Sequence, residues 1–123
     1  MSELKLQPVQ PIIACDLNVF TPEQLEHHLA VCDTLFAAVR EVRDLPSGYA
    51  FRLPEASSTL DLLTDFISGE RRCCAFETFV VRVEPYGGAI WLELIEPEGV
   101  KQGIVSELLT RLNPQVAAAA GLG

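Results

Sequence analysis

The sequence lacks several features that would place it in a common class of protein. No apolar run approaches the roughly 20 residues that a helix needs to cross a bilayer. Basic residues are scarce, with nine Lys and Arg against seventeen Asp and Glu, for a formal charge of −8. Because nucleic acids and anionic membranes are bound through clustered basic side chains, we expect neither as a partner. Residues 1–10 also lack the apolar segment of a secretory signal, so a cytoplasmic location is expected.

The short motifs of common catalytic and cofactor sites are missing as well. The chain contains neither a G-x-G-x-x-G loop nor a P-loop for phosphate. It has no H-E-x-x-H zinc motif and no serine nucleophile elbow, and whether it is an enzyme stays open. Its four cysteines include no C-x-x-C pair. A reducing cytoplasm keeps thiols reduced, so a disulfide framework is not expected.

What the chain does contain predicts a single α+β domain. The 123 residues are 49% hydrophobic, which is enough apolar material for one core. We expect a loose lead-in over 1–10, the domain over 11–113 and a C-terminal tail over 114–123. The patterns predict, in order, a strand at 11–17, a helix from Thr21 to about Arg43, a strand at 49–53, a second helix that continues into residues 69–74, a hairpin over 76–95, and a last helix that opens near Pro97 and has apolar positions from Val100 to Leu112. The corresponding fold is a small, mainly antiparallel sheet with helices packed on one face.

The most unusual stretch is GERRCCAF, residues 69–76, in which two cysteines are adjacent. If the second helix extends this far, Glu70, Cys73 and Cys74 share the end of its apolar stripe. A carboxylate there needs a partner or a proton. Two thiolates and a carboxylate suit a thiophilic metal or metalloid ion such as Zn(II), Cu(I), Hg(II) or trivalent arsenic. The predicted metal ligands are therefore Cys73, Cys74 and Glu70, with Cys15 as the third thiol.

Other interpretations of the same residues stay open. Free cysteine packs as a small hydrophobe, so both thiols fit a core role. A thiol redox enzyme would use Cys73 or Cys74 as nucleophile, although the end of a helix disfavours a thiolate. A non-catalytic module would instead use Trp91, Val80 and the alanine-rich tail as a homodimer face or ligand wall. In that case the cysteines would be core residues.

Three further expectations concern polar residues and one more thiol. Cys32 lies on the apolar face of the first helix and is predicted to be core. His27 and His28 are adjacent, so on a helix they point about 100° apart and do not readily share an ion. The glutamates within residues 93–98 are expected to form a solvated acidic rim.

Several of these segments together resemble one family of small bacterial proteins without an established activity. The segments are Cys15-Asp16-Leu17, the stretch from Glu70 to Phe76, the Gly87-Gly88 turn and residues 97–101. In that family the central segment reads E-R-x-C-C-P-F, and the resemblance covers roughly residues 12–108. Ala75 stands where the family has proline. The resemblance implies no reaction, but it marks the glutamate and the two adjacent cysteines, together with Cys15.

Overall fold

A computed structural model describes residues 15–101 and 110–122 of the chain. Within them the elements are a 3-10 helix at Leu17–Val19, α1 at Pro22–Ala37, β1 at Glu41–Leu45, β2 at Gly48–Leu53, α2 at Ser57–Cys73, β3 at Thr78–Val83, β4 at Ile90–Ile95 and α3 at Pro114–Ala119. The four strands form an antiparallel sheet in the order β1-β2-β4-β3. Helices pack against this sheet, so the predicted α+β arrangement is confirmed. None of the described helices is long and apolar enough to cross a membrane.

The start of α1 forms as its sequence predicts. The Thr21 hydroxyl accepts from the backbone N–H of Gln24, and the Gln24 side chain accepts from the backbone N–H of Thr21. With Pro22 at the first helical position, these contacts satisfy the exposed donors of the first turn. The predicted end near Arg43 is wrong, because α1 stops at Ala37 and β1 follows. Val42 of β1 is buried in the core and pairs with Phe51 of β2. This burial and strand pairing exist only in the folded sheet.

The two ends of the chain also differ from the predicted elements. Residues 15–17 do not form the expected strand. Instead the 3-10 helix begins where the Asp16 carboxylate accepts from the Asn18 backbone N–H. The rest of that predicted strand and most of the predicted last helix lie outside the described residues. The tail contains α3, which Asn113 caps through its side chain.

An aromatic cluster fixes the two long helices on the sheet. Phe36 of α1 meets Phe51 of β2 edge to face at 5.3 Å and Phe66 of α2 at 5.5 Å between ring centroids. All three rings are essentially inaccessible to solvent. Phe79 of β3 meets Phe66 at 6.2 Å, also edge to face. Edge-to-face pairs add about 0.5–1.5 kcal/mol each beyond area burial, so the relative position of α1 and α2 is well determined.

Candidate functional site

The end of α2 carries the adjacent cysteines. The sequence left open where this helix ends, and in the structure it reaches Cys73. Cys74 is its C-cap and donates its backbone N–H to the carbonyl of Glu70 at 2.8 Å. Cys73 and Cys74 are only 4% and 1% exposed. The backbone N–H of Asp16 donates to the Cys73 carbonyl at 2.7 Å, which holds the segment before α1 against this helix end.

This contact brings the third predicted thiol into the site. Cys15 and Cys74 are joined as a disulfide across 59 positions of sequence. No disulfide is expected from the sequence, and that expectation is wrong for this pair, whereas Cys32 and Cys73 are free thiols as expected. The backbone hydrogen bond from Asp16 to Cys73 holds the neighbouring residue, Cys15, beside Cys74, although the two are far apart in sequence. Cys73 stays a free thiol, with its Sγ 3.6 Å from Cys74 Sγ.

The structure thus gathers the four predicted ligand residues at one place. A sulfur from each of Cys15, Cys73 and Cys74 and a carboxylate oxygen of Glu70 lie within 4.8 Å of one another. The Cys73 thiol donates to Glu70 Oε1 at 3.8 Å. Cys15 is solvent-exposed while the other two sulfurs are buried, so the group reaches from the surface into the interior.

Glu70 has a second set of partners on α1. Its Oε1 forms a hydrogen bond with His28 Nε2 at 2.8 Å. The Cys32 sulfur lies 3.6 Å from the same nitrogen. Cys32 is buried as predicted, but it also faces this polar pair. Sequence analysis did not identify His28 and Cys32 as site residues; their spacing of four on one helix face is the signal that marks them.

A glycine makes the contact between the two helices possible. A Cβ at Gly69 would lie 2.2 Å from His28 Nδ1 and 2.7 Å from its Cε1. The imidazole therefore packs directly against the backbone of α2. Phe20 and Phe66 stack on the imidazole ring with centroids at 5.1 and 6.2 Å, which fixes its orientation.

Burial strongly affects the two free thiols. Loss of solvent raises the pKa of Cys73 to about 12, and the negative charge of Glu70 adds to this increase. Burial likewise raises the pKa of Cys32 to about 12, again with a contribution from Glu70. Both thiols are protonated at neutral pH, so an ion that binds them must displace a proton.

Two more glutamates extend the polar site toward the sheet. Glu77 and Glu96 flank the paired residues Thr78 and Ile95, which places their side chains together. Burial, helped by the Glu96 and Glu70 carboxyls, raises the pKa of Glu77 to about 10; burial also raises that of Glu96. Both oxygens of Glu96 and Oε1 of Glu77 are buried without a partner among the described residues. The expected solvated rim is wrong for Glu96, which is 5% exposed.

A cleft between α1 and α2 opens onto this region. It has a volume of about 330 Å³, and His28 and Gly69 lie at its wall. His27 also lines it and contacts Asp65 at 2.8 Å, so the two adjacent histidines have different carboxylate partners. Arg72 lies at the same wall and donates to the Val19 carbonyl at 2.6 Å.

Trp91 and Val80 lie elsewhere, on the hairpin. Both are partly buried, and the Arg43 guanidinium lies 4.4 Å over the Trp91 ring. Glu93, opposite Val80 in the register, accepts from Arg82 at 3.5 Å. Charged side chains therefore accompany the two apolar ones on this face, and the homodimer interface stays a prediction.

No protein-family model, curated protein or solved structure matches this chain. The chemistry of the site is therefore inferred from its own residues.

Proposed function

We propose that the reduced protein binds a thiophilic metal or metalloid ion through Cys73, Cys74 and Cys15, with Glu70 as a fourth ligand. The observation that carries this proposal is the convergence of one donor atom from each residue within 4.8 Å. Thiolates prefer soft and borderline ions, and a carboxylate is compatible with Zn(II).

The distances between donor atoms support such an ion. Tetrahedral zinc with its usual bond lengths holds two thiolates about 3.8 Å apart and a thiolate and a carboxylate oxygen about 3.6 Å apart. The corresponding separations are 3.6 Å between the sulfurs of Cys73 and Cys74 and 3.8 Å from Cys73 Sγ to Glu70 Oε1. These two separations need little change, whereas the sulfurs of Cys15 and Cys74 must move apart once the bond between them is reduced.

The disulfide makes binding dependent on redox state. Cys15 and Cys74 become thiols after a two-electron, two-proton reduction of the bond between them. A bound ion then displaces the thiol protons, so affinity should rise with pH. While the disulfide is intact, Cys73 and Glu70 are the only members of the four that keep their donor atoms free.

The test is a titration of the reduced protein with Zn(II), Cu(I) and Hg(II). Changing Cys73 and Cys74 together to serine should weaken binding by more than the roughly 10–100-fold that loss of an outer-shell partner costs. All these proteins carry Cys32→Ala, so that Cys32 cannot supply a thiol to the ion. The oxidised form is a matched control, because its ligands are present but two sulfurs are blocked. Unchanged affinity in the variant that lacks Cys73 and Cys74, or equal binding of soft ions by both redox forms, would contradict the proposal.

Thiol–disulfide exchange is a second candidate function, favoured by the exposure of Cys15 within its disulfide. In this reaction an external thiolate attacks Cys15 Sγ and forms a mixed disulfide, while Cys74 leaves as a thiolate. A second external thiolate then attacks the mixed disulfide and releases Cys15 as a thiolate. The two external thiols are thereby joined as a disulfide, and the protein is reduced. This function is supported if the dithiol form catalyses the reduction of a peptide disulfide and the Cys15→Ser variant does not. Absence of turnover argues against it.

A further inference from the structure

We infer that His28, Cys32 and Glu70 form a second, inner site for a borderline divalent ion such as Zn(II), which stays intact when the Cys15–Cys74 disulfide is formed. One donor atom from each of the three residues lies within 4.8 Å of the others. Imidazole, thiolate and carboxylate are the three ligand types that Zn(II) uses in proteins. The inference does not depend on ion binding at the outer thiols.

The two separations measured from His28 Nε2 are close to those around an ion of this size. A tetrahedral zinc ion holds an imidazole nitrogen and a thiolate about 3.6 Å apart, and an imidazole nitrogen and a carboxylate oxygen about 3.4 Å apart. In the structure Cys32 Sγ lies 3.6 Å from His28 Nε2, and Glu70 Oε1 lies 2.8 Å from it. The carboxylate therefore needs to withdraw by about half an ångström for the ion to take the place of the proton.

The surroundings hold the donors in position before an ion arrives. Phe20 and Phe66 stack on the His28 ring, and Gly69 lets that ring approach the backbone of α2. His28 is 4% and Cys32 7% exposed, so neither side chain has rotamer freedom to lose on binding. Such pre-organisation lowers the cost of assembling a metal site.

The cleft between α1 and α2 reaches this group at His28. His28 and Gly69 line it, and the carboxylates of Glu23 and Asp65 at its wall attract cations. On binding, the Cys32 thiol releases its proton, and a metal-bound Nε2 carries none, so the ring proton of the bound His28 lies on Nδ1. Three protein ligands leave a fourth position for water or another small ligand.

Its independence of redox state separates the inner site from the outer one. The disulfide uses Cys15 and Cys74, and neither is a donor of the inner set. Glu70 belongs to both sets. In the oxidised protein, two of the outer thiols are blocked, so the outer set does not compete with the inner site for this carboxylate. If the reduced protein binds no ion at the outer thiols, the inner site can still bind one, and the reverse also holds.

The experiment uses the oxidised Cys73→Ala protein and Co(II) as a spectroscopic substitute for Zn(II). With the disulfide verified by mass, Cys32 is the single free thiol of this variant, because Cys15 and Cys74 are joined and Cys73 has been replaced. We expect one equivalent of Co(II) to produce thiolate-to-metal charge-transfer absorption, which Zn(II) then displaces. His28→Gln in the same background should weaken binding by roughly 10–100-fold or more.

The matched control is oxidised Cys32→Ala, in which Cys73 is the remaining thiol. This variant should show no charge-transfer band, although it keeps Glu70 and His28. A folded Cys73→Ala protein that gives no band overturns the inference. So does a band that is present in Cys32→Ala and missing from Cys73→Ala, because the ion would then lie at the outer thiol.

Discussion

Replacing Gly69 with alanine should destabilise the protein, although the same change inside a helix usually stabilises it. In an unobstructed helix interior, glycine to alanine gains about 0.8–1.0 kcal/mol. Gly69 is four residues from the end of α2 and would gain this amount from propensity alone. The new methyl group, however, would lie 2.2 Å from His28 Nδ1.

The size of the effect follows from the distance that the imidazole must move. To reach ordinary contact at 3.4 Å, the ring has to withdraw by about 1.2 Å. A displacement of that size breaks the 2.8 Å hydrogen bond from His28 Nε2 to Glu70 Oε1. A buried hydrogen bond to a charged group contributes about 1.5–3 kcal/mol. After subtraction of the propensity gain, we expect a net loss of about 1–2 kcal/mol in the free energy of unfolding.

Urea unfolding of four oxidised, metal-free proteins measures this coupling as a double-mutant cycle. The four are wild type, Gly69→Ala, His28→Ala and the double variant. Once the imidazole is gone, alanine at 69 has no obstacle and should stabilise the protein by up to about 1 kcal/mol. The sign of the Gly69→Ala effect therefore reverses between the two backgrounds, with a coupling energy of roughly 2 kcal/mol or more. Stabilisation in both backgrounds would refute the close packing of His28 on α2.

Four further results are expected. Reducing the Cys15–Cys74 disulfide, which closes a loop of 59 positions, should lower the free energy of unfolding by about 4 kcal/mol in urea, and a loss under 1 kcal/mol would contradict it. The pKa of Glu77 is raised from 4.5 to about 10, so stability should fall as pH rises through that interval. Glu77→Gln should flatten this dependence when chelator is present; an unchanged slope would argue against a buried neutral carboxyl. Iodoacetamide should label Cys73 slowly in the native oxidised protein, because its thiol is buried with a pKa of about 12, and rapid labelling would instead favour a redox nucleophile. If Trp91 forms a homodimer face, light scattering should give twice 13.5 kDa and Trp91→Lys should give a monomer.

Sequence patterns predicted the local part of the candidate site. The helical spacing of Glu70 and Cys73 correctly placed them on one face at the end of α2. In β4, the buried Ile90, Leu92 and Leu94 alternate with less buried residues, so the local pattern alone marks the buried face of the predicted hairpin. The capping residues before α1 gave its start. Each of these features depends on residues within a few positions of one another, where hydrogen bonding and periodicity are set by the local chain.

Tertiary structure determined the contacts that give the site its chemistry. Cys15 meets Cys74 across 59 positions, and His28 meets Glu70 across 42. No local pattern encodes these pairs, because they depend on how α1 and the segment before it pack on α2. The predicted end of α1 near Arg43 is wrong for the same reason, because strand pairing with β2 overrides helical periodicity there. The sequence alone thus determined which chemical groups lie at the end of α2, whereas packing of the two helices determined their partners, their burial and their proton affinity.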